Sequence, residues 1–160
     1  SLVGSEMCIR DSVITGRRED VLEAAAADIG AGWIAGDVGD EADAVRTVRE
    51  FVDEHGRLDI LVNNAGFGIF SPLVEMELAD LEAVYRTNVF GAFLMAREAA
   101  KVFIRQQSGN LVNVSSTSGL KGDAGSTAYS SSKFALRGMT ECWRAELRRH
   151  DVRVLSLIHI

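Results

Sequence analysis

Only two of the 160 residues are cysteine, Cys8 and Cys142. Two thiols cannot build the disulfide framework of a small secreted domain, and no zinc-type spacing of Cys and His accompanies them. The expectation is a reducing cytosol, hence a cytoplasmic protein with no metal site. The histidines, His55, His150 and His159, are scattered and read as surface residues. No apolar run approaches the roughly 20 residues of a membrane span. Positive charge is not in excess, since the formal net charge is −6. That sign argues against nonspecific binding to nucleic acid or to anionic membranes. Repeats and low-complexity tracts are also lacking.

What is present is ordinary for a soluble domain, with 47% hydrophobic and 25% charged residues. The length allows one domain with a real core. Strand-like and helix-like segments alternate along it. Val13-Ile14-Thr15 is a short apolar strand that ends at Gly16. Arg17 to Ile29 has helical spacing through Val21, Leu22, Ala25, Ala26 and Ile29, and Gly30 and Gly32 stop it. Trp33-Ile34-Ala35 is a second strand, closed by Gly36-Asp37-Val38. Ala42 to His55 is helical again. Leu58 to Val62 is a third strand, and its near-continuous apolar character predicts burial on both faces. A long helix is expected from about Leu78 to Gln106, a strand over Asn110 to Val114, and another long helix over Thr127 to His150. Val152-Arg153-Val154 opens a fifth strand. Such alternation predicts an α/β fold: a doubly wound, Rossmann-like parallel sheet with helices on both faces.

Ligands in parallel sheets sit beyond the carboxyl ends of the strands. Gly16-Arg17, Asp37, Asn63 to Gly66 and Ser115-Ser116 all fall there, so they are expected to converge on one edge. Tyr129 and Lys133 are four apart in a helical stretch and share a face. Carbonyl reduction needs a proton donor beside the substrate oxygen, but a free phenol has a pKa of about 10. An ammonium on the next turn stabilises the phenolate. A hydroxyl at a strand end, on Ser115 or Ser116, can bond the substrate oxygen and stabilise developing charge. Asn88 interrupts an apolar helix at a cost in helix propensity, as a satisfied buried amide or as a functional group. Asp37 is either a ligand residue or a cap, with Asp40 better placed to cap the helix from Ala42. In dinucleotide folds an acidic residue after the second strand binds a ribose 2′-hydroxyl, and an arginine there accommodates a 2′-phosphate. Counted from a strand that would precede Val13, that place reads Gly16-Arg17-Arg18, so NADP is expected rather than NAD. The alternative for Arg17 is a solvated basic helix start, which the helix dipole disfavours.

Taken in order, Asn63-Asn64-Ala65-Gly66, Asn88, Ser116 and Tyr129-x-x-x-Lys133 resemble the short-chain dehydrogenase/reductase family, in its single-domain branch. The resemblance implies hydride transfer between a nicotinamide cofactor and a carbonyl or alcohol. Its spacing selects Ser116 over Ser115, and Ser116-Thr117-Ser118-Gly119 matches the family's Ser-x-x-Gly run. It implies that Asn88 kinks its helix and holds a water that reaches Lys133. It implies that Asn64, Ala65 and Gly66 line the adenosine side of the cofactor site, that Asp37 and Val38 contact adenine, and that Lys133 also binds the nicotinamide ribose. A small carbonyl or alcohol substrate is expected, with self-association through the two long helices.

The family's first strand and Thr-Gly-x-x-x-Gly-x-Gly loop have no match. Thr15-Gly16 is not that loop, because Asp20 and Leu22 stand where glycine is required. Residues 1–12 and 155–160 resemble translated sequencing adapter, which leaves 13–154 as a partial dinucleotide-binding and catalytic domain. The expectation is a parent oxidoreductase whose 160-residue piece is itself inactive. The alternatives are a nonfunctional truncated reading frame and a non-enzymatic, dinucleotide-sensing relative.

Overall fold

A computed structural model describes residues 11–159. Cys8 and the first ten residues of the adapter-like segment lie outside them. The chain divides into two compact units, one ending at Gly36 and one beginning at Asp37.

The first unit is a strand–helix–strand repeat. β1 (Val13–Gly16) pairs in parallel with β2 (Gly32–Ala35), Val13 lying opposite Gly32. α1 (Glu19–Ile29) joins them and buries Leu22 and Ala26, which are one turn apart. The helix begins two residues after Arg17, because Arg18 is still extended at φ −104°. Arg17 is therefore left exposed in the loop past the carboxyl end of β1.

The second unit begins with α2 (Glu41–His55), whose first turn is capped by the Asp40 carboxylate accepting from the Asp43 N–H at 3.0 Å. Next come β3 (Ile60–Asn63), α3 (Leu78–Tyr85) and α4 (Ala92–Gln106). β4 (Gly109–Ser116), α5 (Thr127–Leu147) and β5 (Val152–His159) complete it. The strands run β3-β4-β5, all parallel, with helical crossovers. The parallel α/β architecture expected from the alternation is thus present. β5 continues through Leu155 to Ile158, residues that the sequence had set apart from the domain.

The long helix expected over residues 78–106 is interrupted. Arg86–Gly91 form a π-helical turn between α3 and α4, with Asn88 buried inside it. No Cβ fits on Gly91, where it would lie 2.7 Å from Val38 Cγ2, so the turn packs directly on Val38.

The core lies on one side of the sheet. Register puts Leu61, Leu111 and Val154 side by side on one face. Leu111 and Val154 are buried with Met95, Ala99 and Phe103 of α4 and with Leu147 of α5, while Ala44 and Val48 of α2 close the cluster. On the opposite face Ile60 is 42% exposed, Val62 51%, Leu155 45% and Leu157 54%. β3 is therefore not buried on both faces as its apolar run predicted. In this unit the helices that bury the sheet lie on one side.

Candidate active site

α5 presents Tyr129 and Lys133 one turn apart. Lys133 is only 5% exposed although it carries a charge. Its Nζ donates to the Val114 carbonyl at 2.9 Å and lies 5.7 Å from the centroid of the Tyr129 ring. Burial penalises the ammonium and holds the Lys133 pKa below its ordinary value. Tyr129 is half-buried, with its ring 5.8 Å from that of Phe70.

Asn88 binds three partners. Its Oδ1 accepts from the Phe67 N–H at 3.0 Å, and its Nδ2 donates to the Phe67 carbonyl at 2.8 Å and to Ser132 Oγ at 3.0 Å. Ser132 Oγ in turn donates to the Tyr129 carbonyl at 2.7 Å. One amide thus ties the segment after β3 to the helical turn that carries Tyr129 and Lys133. A Cβ on Gly66 would lie 3.1 Å from Asn88 Oδ1 and 3.5 Å from Lys133 Nζ, so a side chain there would crowd the Asn88 amide.

The four residues of the Asn-Asn-Ala-Gly string differ in role. Asn63 is structural: its Nδ2 donates to Asn113 Oδ1 at 2.9 Å and to the Ala92 carbonyl at 3.1 Å, and Asn113 reaches Thr140 Oγ1 at 2.8 Å. This buried network joins β3, β4, α4 and α5. Asn64, Ala65 and Gly66 are exposed beyond the strand end. Ser115 and Ser116 separate by burial. Ser115 points into the packed face with its Oγ 3.0 Å from where a Gly119 Cβ would be. Ser116 is half-buried at the strand end, and its Oγ accepts from the Ser118 N–H at 3.1 Å. Asp37 Oδ1 accepts from the Gly39 N–H at 2.9 Å, while the Asp37 N–H donates to Asp43 Oδ2 at 2.8 Å. That carboxylate shapes its own turn, and Val38 beside it packs on Gly91. Arg17 belongs to the first unit.

Two participants were not legible beforehand. The Val114 anchor is a main-chain carbonyl, which no motif encodes. Ser132 is one of three consecutive serines, and only the helical phase of Asn88 against α5 singles it out.

The chain matches the family model for short chain dehydrogenases over residues 10–158. It belongs to the short-chain dehydrogenase family. Among curated relatives, the 3-oxoacyl-(acyl-carrier-protein) reductase FabG of Thermotoga maritima is 40% identical over 107 residues, 67% of this chain and 44% of that protein. Among solved structures, a gluconate 5-dehydrogenase from Burkholderia cenocepacia, in complex with NADP and tartrate, is 30% identical with a TM-score of 0.86, covering 91% of this chain and 59% of that one. An NAD+-bound xylitol dehydrogenase is 31% identical with a TM-score of 0.84, covering 90% and 58%. This member of the family spans about half the length of the curated relatives it matches.

Proposed function

We propose that the chain carries the proton-transfer machinery of an oxidoreductase that moves hydride between NADP(H) and the carbonyl carbon of a ketone or secondary alcohol. The observation that carries this reading is the buried Lys133 ammonium, fixed by the Val114 carbonyl beside the Tyr129 ring. Burying a charge is costly, and titratable groups perturbed in this way cluster at functional sites.

The residues present fit the nicotinamide–ribose end of a dinucleotide, whereas the glycine loop that would cradle its pyrophosphate has no match in this sequence. Gly66 leaves room beside Asn88 and Lys133 where a side chain would intrude. In the first unit Thr15 Oγ1 is buried without a hydrogen-bond partner among the described residues, two positions before the exposed Arg17. When bound, the nicotinamide supplies or accepts hydride at the carbonyl carbon. Tyr129 gives its phenolic proton to the oxygen in reduction and takes it back in oxidation, which balances carbonyl, hydride and proton against alcohol. Lys133 places positive charge where the proton leaves and has protons left for a ribose hydroxyl. Ser116 holds the substrate oxygen. Asn88 acts by positioning, through Phe67 and Ser132. Asp37, Val38, Asn64 and Ala65 flank the adenosine side, and Arg17 meets a 2′-phosphate, which favours NADP over NAD. Self-association through α4 and α5 belongs to the same reading, since Phe93 and Phe134 are exposed on them.

The test uses an enzyme extended to the length of its relatives. Tyr129→Phe keeps the ring and removes the proton, so turnover should fall by about 10² or more. NADP affinity by calorimetry should barely change. Near-normal turnover refutes the reading. Arg17→Ala should weaken NADP binding by about tenfold, the loss of one charge-assisted bond, and spare NAD. Equal loss for both cofactors would make Arg17 structural.

A further inference from the structure

Phe70 is 65% exposed, yet its ring lies against Tyr129, with centroids 5.8 Å apart and planes inclined at 52°. Gly68 makes this contact possible. A Cβ there would come within 2.9 Å of Phe70 Cε2 and Cζ and within 3.1 Å of Tyr129 Cδ2, so both rings close over a residue without a side chain. The position of the loop is set at both ends. Asn88 holds Phe67 by both backbone groups, and the Ser71 N–H donates to the Gly125 carbonyl at 2.9 Å, just before α5 begins. Next to that tie, Pro72, Leu73, Asp123, Ala124, Gly125 and Thr127 line an open cleft of about 580 Å³. Leu73 is 77% exposed. Asp123 is paired with Lys121 at 3.3 Å.

Phe70 is the most exposed phenylalanine among the described residues, and its apolar area is hydrated at a cost that a covering group would relieve. Here it stands beside the phenol that reaches the reacting oxygen. We propose that Phe70 is a specificity-determining residue: with the cleft beside Leu73, it receives an alkyl or aryl substituent of the carbonyl carbon. The site therefore prefers apolar ketones to polyhydroxylated ones. This rests on reading Tyr129 as the proton donor. A polyol would leave hydroxyls against a ring that offers no partner, and unpaired polar groups discriminate strongly.

The experiment has two arms. The first needs no turnover. Acetophenone is titrated into the 160-residue chain while the ring resonances of Phe70 and Tyr129 are followed by NMR, with dihydroxyacetone as the polar probe. Acetophenone should shift both rings and dihydroxyacetone neither. Phe70→Ser should abolish the Tyr129 shift, and Phe70→Leu, which keeps an apolar wall, should retain it. Unmoved rings in the unsubstituted chain, or an equal Tyr129 shift in Phe70→Ser, overturn the proposal. The second arm uses the enzyme extended to the length of its relatives. The ratio of kcat/KM for acetophenone to that for dihydroxyacetone should fall about tenfold or more in Phe70→Ser. An unchanged ratio overturns the proposal. Reduction of neither ketone, with the acetophenone shifts intact, sinks the hydride-transfer reading and leaves the apolar subsite standing.

Discussion

Lys133 is the residue in greatest tension with its surroundings. Burial holds its pKa down, so the folded chain binds that proton less tightly than the unfolded chain does. The resulting penalty on stability is complete below the folded pKa. It fades as pH rises toward the ordinary lysine value of about 10. Lys133→Met keeps the bulk and removes the charge. It should abolish turnover while raising the thermal midpoint at pH 7, with the gain shrinking by pH 10. Calorimetry at the two pH values checks this, and a lower midpoint at pH 7 would mean that the bond to Val114 outweighs the burial. The Tyr129–Lys133 pair was legible because a spacing of four has one meaning on a helix. The carbonyl that holds Lys133 was not, because every residue carries one.

At the scale of the element, the interrupted helix between Leu78 and Gln106 sets the site. An α-helix would pass Asn88 at a different phase. The wider π turn, Arg86–Gly91, turns its amide toward both Phe67 and Ser132. Such turns recur at functional sites. Asn88→Ala would orphan the N–H and C=O of Phe67 and leave Ser132 Oγ without its donor. Each group left unpaired costs about 1–3 kcal/mol, so urea unfolding should show a loss in that range or above. A loss under about 0.5 kcal/mol, ordinary for a surface position, would show that the amide holds nothing. Sequence periodicity missed the turn because one extra residue in six barely disturbs an apolar pattern. Asn88 was the visible sign, read from its chemistry as a satisfied buried amide or a functional group and, through the family resemblance, as the residue that kinks the helix. The cap at Asp40 was legible, since a carboxylate three residues before a helical N–H has a fixed geometry.

At the scale of the molecule, the three-stranded sheet is covered on one side. Leu58 to Val62 reads as a strand buried on both faces, and the same string serves a strand with one bare face, so sequence could not separate the two. Ile60, Val62, Leu155 and Leu157 share the bare face with Val112 between them. Apolar area of this kind on an outer strand promotes association. The 160-residue chain should bind an environment-sensitive apolar dye, and Val62→Lys with Leu157→Lys should reduce both dye binding and light scattering. Unchanged signals would mean that the face is covered in solution. The ladders themselves are unequal. β4 and β5 pair over eight residues, Gly109 opposite Val152 through Ser116 opposite His159, whereas β3 meets β4 only from Ile60 to Asn63. The difference belongs to time as much as to space. Opening one strand of a long ladder breaks many bonds at once, so backbone amides of β4 and β5 should exchange with deuterium last, and those of β3 and of the β1–β2 repeat first. The Val114 carbonyl sits on the slow strand β4, so Lys133 keeps its anchor through fluctuations that let β3 go.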